Sequence, residues 1–164
     1  MKLIEVLSRI ASFVYPIRYK TVYSEFSGNL ELTWYNGKLL LDTENTNYSY
    51  GNLQRVLDKA INKIDSEIIL NAKNILLLGV AGGSVIESLY TKYQFKNKID
   101  AVDIDPVILK IAEEEYKINR FKNCSFFATD AKLYVEKCTK KYNIIIIDLF
   151  IDYQIPDFVF DKCF

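Results

Sequence analysis

Three acids and a glycine loop in this chain stand where α/β proteins do chemistry. The run Asn74-Ile-Leu-Leu-Leu-Gly79-Val-Ala81-Gly82-Gly83-Ser84 joins a short apolar stretch to a segment in which Ile86, Leu89, Tyr90 and Tyr93 recur at helical spacing. Glycines let the backbone bend sharply and approach a ligand, and the N-terminus of the following helix offers unpaired N–H groups to polar or anionic atoms. Asp103 lies 20 residues after Gly83 and ends a second apolar run. A carboxylate there can accept hydrogen bonds from both hydroxyls of a ribose. Asp130 follows the apolar Cys124–Ala128 and Asp148 follows Asn143–Ile147 in the same way. Ligands of an open parallel sheet sit outside the carboxyl ends of its strands, so one crevice would collect Gly79–Ser84, Asp103, Asp130 and Asp148. The layout is that of a nucleoside-binding unit, with a purely structural βαβ turn as the alternative.

Each acid also has a structural reading. Asp105 precedes Pro106 and the stripe Ile108, Ile111, Ala112 and Tyr116, which is the place of a helix N-cap, and capping outweighs a ligand role there. For Asp130 a cap and an adenine contact are evenly balanced. Asp103 and Asp148 are better explained by a ligand, because an apolar strand leads into each.

The elements that must position these residues follow from period and punctuation. Leu3, Leu7, Ile10 and Val14 would share one face of an N-terminal amphipathic helix that Pro16 ends. Glu5 and Arg9 interrupt that run and no small-residue cleavage site follows, which argues against a signal peptide, and the basic residues are too few for membrane attachment. Between Lys20 and Asp42 the period becomes two, with Leu30, Leu32 and Trp34 on one face and a tight turn at Asn36-Gly37. From Tyr48 to about Ile69, apolar residues recur at helical spacing. The expected organisation is an N-terminal helix and small antiparallel β-unit over residues 1–47, then a Rossmann-like nucleoside-binding domain over 48–164, with 48–70 as one linking helix. Asn143–Ile147 is apolar throughout and reads as an interior parallel strand.

Composition narrows the chemistry. A chain of 164 residues, half of them hydrophobic, buries one core. Basic and acidic side chains balance at 21 each, so no general electrostatic pull toward nucleic acid or an anionic membrane exists. Without a histidine there is no imidazole base and little prospect of a zinc or other metal site. Cys124, Cys138 and Cys163 are odd in number and lack a Cys-x-x-Cys pair, which fits a reduced, cytoplasmic setting.

From about Trp34 onward these residues resemble the spermidine synthases and their relatives within the class I S-adenosylmethionine-dependent methyltransferase fold. Thr43-Glu44 with Tyr48-Ser49-Tyr50 is similar to that family's Thr-Glu-Arg-Asp-Glu-Phe-Ser-Tyr-Gln segment. The likeness continues through the Gly79–Ser84 loop, Val102-Asp103-Ile104-Asp105-Pro106, Thr129-Asp130-Ala131, and Tyr142–Asp148 with a second acid at Asp152. The resemblance implies an α/β fold, a Rossmann-like parallel sheet with a small N-terminal β-hairpin unit, from which the family's C-terminal strands are missing. It implies S-adenosylmethionine, or its decarboxylated form, held by Gly79, Ala81, Gly82, Gly83, Asp103, Ile104, Asp130 and Ala131. Asp103 would take the ribose and Asp130 the adenine amino group. Asp148 would be catalytic and face the amine to be alkylated, with Tyr50 beside it and Asp152 completing the substrate site. A small amine substrate and a homo-oligomer follow by the same likeness.

Departures from the pattern bear on the reaction. The family's loop reads Gly-Gly-Gly-Asp-Gly-Gly, and its acid, which holds the aminopropyl amine of the decarboxylated donor, is Gly82 here. The family's glutamine after the tyrosine is Gly51, and its Asp-x-x-Asp has stretched to Asp148-x-x-x-Asp152. An acid at position 82 would repel the carboxylate of intact S-adenosylmethionine by on the order of a few kcal/mol in a partly dry pocket. Glycine removes that repulsion, so methyl transfer is the favoured expectation and aminopropyl transfer the alternative. Two rivals stand beside it. A dinucleotide dehydrogenase fits less well, because Gly79-x-Ala81-x-x-Ser84 lacks the second and third glycines of that fingerprint. A catalytically inactive nucleoside-binding or interaction module fits the lost glutamine and loop acid.

Overall fold

The computed structural model describes residues 3–43, 47–49, 51–150, 154–162 and 164. Glu44 and Cys163 lie outside them. The chain begins with helix α1, Leu3–Ala11, and an antiparallel sheet in the order β1 Ile17–Ser24, β2 Gly28–Tyr35, β3 Lys38–Thr43 and β4 Asn47–Ser49. Asn36 and Gly37 carry φ of 49° and 73° between β2 and β3, the left-handed pair that a two-residue hairpin turn needs. The period-two pattern does its work on one face. Leu30, Leu32 and Leu41 are fully buried there against Ile108 and Ile111 of the following domain.

The single linking helix expected over 48–70 is two helices. Residues 47–49 pair with β3 as a strand, and helix α2, Gly51–Ile61, gives way to helix α3, Ser66–Asn71. Asp65 makes the break by turning its carboxylate onto the backbone N–H of Glu67 at 3.0 Å, which caps a new helix rather than continuing the old one. The apolar spacing runs unbroken across this join because Ile61, Ile64 and Ile69 all pack into one core.

The second sheet is wholly parallel. Its strands are β5 Asn74–Leu78, β6 Lys98–Asp103, β7 Cys124–Ala128 and β8 Ile144–Ile147, in the order β7-β6-β5-β8. Helices α4, Ser84–Thr91, and α5, Pro106–Glu114, cover one face with α2 and α3, burying Ile75, Leu77, Ile99 and Ala101. Helix α6, Ala131–Lys137, covers the other face over Leu76, Leu78 and Val102. The chain moves outward from β5 to β6 and β7, then returns to lay β8 on the far side of β5. Strand order therefore reverses at β5, and the crevice of such a sheet opens there.

Asn143–Ile147 was expected in the sheet interior. Among the described residues β8 pairs with β5 alone and forms an edge, with Ile145 56% and Ile147 43% exposed. Its run of isoleucines suits two-sided burial, but only Ile144 and Ile146 pack against the main core.

A buried acid inside β6 was invisible to pattern reasoning. Asp100 accepts hydrogen bonds from Lys140 Nζ and Tyr142 Oη, both at 2.7 Å. Burial opposes its charge, yet these donors outweigh burial and hold its pKa below the ordinary value.

Candidate functional site

The hydrogen-bond ladder runs one residue past the strands and sets four ends in a row. The N–H of Asp148 donates to the Leu78 carbonyl at 2.8 Å, that of Gly79 to Val102 at 2.8 Å, and that of Thr129 to Asp103 at 2.9 Å. Asp148, Gly79, Asp103 and Thr129-Asp130 thus stand side by side across the crevice. Gly79 has φ of 91°, and a Cβ there would lie 2.1 Å from the Asp148 carbonyl oxygen. No other residue fits that position.

The loop beyond is pinned by the acid expected to bind a ligand. Oδ2 of Asp103 accepts from the N–H groups of Val80 at 2.9 Å and Ala81 at 3.2 Å, and Oδ1 from that of Asp105 at 3.0 Å. Ala81 is held at a φ of 46°, in the left-handed region. Gly83 caps α4 with no side chain, and Gly82 beside it is buried. Asp103 is 8% exposed, and burial raises its pKa against the three N–H donors that lower it. A carboxylate has about four acceptor positions, so one remains at Oδ1.

Asp148 sits on the other side of Gly79. Burial first, and the charge of Asp103 second, push its pKa up to about 6. Such a group holds or takes a proton near neutrality, the range in which a carboxyl serves an amine.

The remaining expected residues fall into place as follows. Asp130 is half-buried and caps α6, its Oδ1 accepting from the Leu133 N–H at 2.9 Å, which is its structural reading. Ala131 is buried behind it and Ile104 is 44% exposed at the mouth of β6. Tyr50 and Asp152 lie outside the described residues. Asp105 caps α5 through Val107 at 2.8 Å and Ile108 at 3.4 Å, as its position before Pro106 implied. What sequence reasoning missed is its other oxygen. Oδ2 accepts from the hydroxyls of Ser24 at 2.5 Å and Ser27 at 2.7 Å, which reach across from the N-terminal sheet. Asp105 is fully buried and joins the β1–β2 turn to the residue that pins the glycine loop.

No family model matches the chain. The polyamine aminopropyltransferase of Vibrio vulnificus is 31% identical over 102 residues, which are 59% of this chain and 34% of that protein. In fold, the chain superposes on spermidine synthase from Thermotoga maritima with a TM-score of 0.61, over 80% of this chain and 46% of that one, at 14% identity. The chain has a Rossmann-like α/β fold like that of the spermidine synthases, and in sequence it is similar to a polyamine aminopropyltransferase. It also matches an eEF1A lysine and N-terminal methyltransferase homolog of Drosophila pseudoobscura, 26% identical over 80 residues, 47% of this chain and 12% of that protein. It spans about a third of the Vibrio relative and about half of the Thermotoga synthase. Among the described residues, no helix is long and apolar enough to cross a membrane.

Proposed function

We propose that the chain binds S-adenosylmethionine across the ends of β5, β6 and β7 and transfers its methyl group to a small amine held at Asp148. The observation that carries this reading is the pair Asp103 and Asp148 flanking Gly79 on adjacent strand ends, one with an acceptor position left and one with its pKa raised to about 6. The residues fit the donor. Two acids in a buried row suit a cationic sulfonium and a cationic amine, and Gly79 leaves backbone uncovered between them. Asp103 would take a ribose hydroxyl at Oδ1, Ile104 and Ala131 would bound the adenine, and Asp130 would meet its amino group. Bound there, the donor supplies an electrophilic carbon on its sulfonium. Asp148 would hold the amine in line with that carbon and accept its proton, since the protein's part in such a displacement is mainly positioning. Tyr50 and Asp152 are proposed to complete the amine site.

The choice of methyl rests on Gly82. Its position is buried, where a carboxylate would act on a ligand charge with little screening, and here there is none. Aminopropyl transfer from the decarboxylated donor is the second reading, favoured by the name of the Vibrio relative. Thermal-shift and calorimetric titrations with S-adenosylmethionine, its decarboxylated form and NAD separate these readings. A ligand at 100 times its dissociation constant adds about 2.7 kcal/mol of stability. We expect S-adenosylmethionine to give the larger shift, and Gly82→Asp to move preference toward the decarboxylated donor. Tighter binding of the decarboxylated form by the unaltered chain establishes the second reading. A shift with NAD alone points to a dehydrogenase, and no shift with any nucleoside to an interaction module.

A further inference from the structure

A parallel sheet starts all its strands at one end, so the turns that lead into β5, β6, β7 and β8 gather opposite the crevice, a strand's length from Gly79. Each of these turns carries lysine and asparagine: Lys73-Asn74 at β5, Lys96-Asn97-Lys98 at β6, Lys122-Asn123 at β7, and Lys140-Lys141 with Asn143 at β8. The asparagines tie the turns together. Asn123 Nδ2 donates to the Lys96 carbonyl, Asn97 Nδ2 to that of Ala72 at 2.8 Å, and Asn74 Nδ2 to that of Lys141 at 2.8 Å, while Asn143 Oδ1 accepts from the Lys73 N–H at 2.9 Å. A side-chain bond thus spans every gap between neighbouring strands in the order β7-β6-β5-β8. The lysines are left without acids. Lys73, Lys96, Lys98, Lys122 and Lys141 are exposed, none of the four turns contains an acid, and among the described residues no ion pair engages them. Lys140 is paired, with Asp100 at 2.7 Å. Neighbouring strands lie about 4.8 Å apart, so the row crosses roughly 15 Å. The balance of 21 basic and 21 acidic side chains over the whole chain conceals this local excess.

We propose that this row binds the phosphate backbone of a nucleic-acid duplex without reading its sequence. Ammonium groups on a fixed platform neutralise phosphates and release their counterions, which is a sequence-independent source of affinity. The asparagine amides, which could read base edges, are engaged in the ladder that holds the turns. A single strand would need aromatic rings on which its bases stack. The aromatic residue of these turns, Tyr142, is bound instead to Asp100 at 2.7 Å. A bilayer is the weaker occupant, because the turns hold no exposed apolar side chain to insert. Ile68 and Leu70 of α3, each 55% exposed, are the nearby residues that would serve one, and vesicles are therefore the control.

Fluorescence anisotropy of the whole chain with a labelled DNA duplex of about 20 base pairs, in about 50 to 200 mM KCl, tests this. We expect micromolar binding at low salt, with the logarithm of affinity falling against that of salt at a slope near −4, about −0.9 for each lysine that meets a phosphate. Lys96→Gln/Lys98→Gln/Lys122→Gln should flatten the slope by about 2–3 and weaken binding at least about tenfold, with thermal unfolding unchanged because all three side chains are exposed. Lys38→Gln/Lys59→Gln/Lys110→Gln removes the same charge from exposed positions outside the row and should leave the affinity within about threefold. No binding at low salt, an equal loss in the two triple variants, or tighter binding of single-stranded poly(dT) than of duplex overturns the proposal. So does a chain that ignores the duplex and floats with phosphatidylcholine–phosphatidylserine vesicles.

Discussion

In the folded chain the Asp148 carboxyl is harder to ionise than in the unfolded one, since burial and the charge of Asp103 lift its pKa from 3.8 to about 6. Between those values the unfolded chain gives up the proton first. Stability therefore falls as pH rises through about 4 to 6, and above that window the penalty is fully present. Asp148→Asn removes the ionisation and keeps the shape. At pH 7.5 it should stabilise the chain by about 1–2 kcal/mol, part of the ~3 kcal/mol that the whole difference represents. It should also flatten the pH profile below 6 and abolish the amine alkylation proposed above. Urea unfolding at pH 4.5, 6 and 7.5 reads this directly, and parallel profiles for variant and wild type would dismiss the assignment. The gain in stability for a loss of activity is the signature of a strained functional group.

At the scale of elements, the fold was legible wherever one periodicity met one clear stop. The strands β5 to β8 and the Asn36-Gly37 turn are of this kind, because a short apolar run ending in Gly or Asp admits few other conformations. Three features were not. The apolar spacing from Leu53 to Ile69 could not reveal the Asp65 break, since both helices face one core. The stripe on α1 defined a face, but which way it points depends on hydrogen bonds of Arg9 and Ser12 with the Asn36-Gly37 turn, 24 or more residues away. Likewise the Ser24–Asp105 bond joins residues 81 apart, and neither serine stands out by its type. The candidate site shows the same division. Its row of acids followed from strand ends, whereas the pinning of the glycine loop by Asp103 depends on distances that no spacing encodes. The serine strut has a measurable weight. Ser24→Ala/Ser27→Ala strips two hydroxyls from a fully buried carboxylate, and hydrogen bonds to charged groups are worth about 1.5–3 kcal/mol each. We expect a loss of about 3 kcal/mol in denaturant unfolding, and Ser24→Thr with Ser27 kept should recover most of it. A loss below about 0.5 kcal/mol, the scale of neutral surface changes, would show that the two sheets are joined by apolar packing alone.

For the molecule as a whole, the consequence of the β7-β6-β5-β8 order is an apolar edge. Among the described residues no strand pairs with β8 on the side away from β5, where Ile145 and Ile147 are exposed and no charge between Ile144 and Ile147 discourages pairing with another chain. The two faces of this strand make opposite predictions for the same substitution. Ile144→Lys places an ammonium at a partly buried position packed against the main core, where an unpaired, partly desolvated charge costs on the order of a few kcal/mol, and the chain should be strongly destabilised. Ile145→Lys lies on the open face, where burial is already less than half complete, so its cost should stay near or below about 1 kcal/mol. Its benefit is kinetic. A lysine on an edge strand acts as a gatekeeper, and light scattering on gentle heating should show Ile145→Lys aggregating severalfold more slowly than wild type while unfolding at nearly the same temperature. Equal aggregation rates for Ile145→Lys and wild type would mean that the β8 edge is not where the chains meet, and that its isoleucines are exposed without consequence.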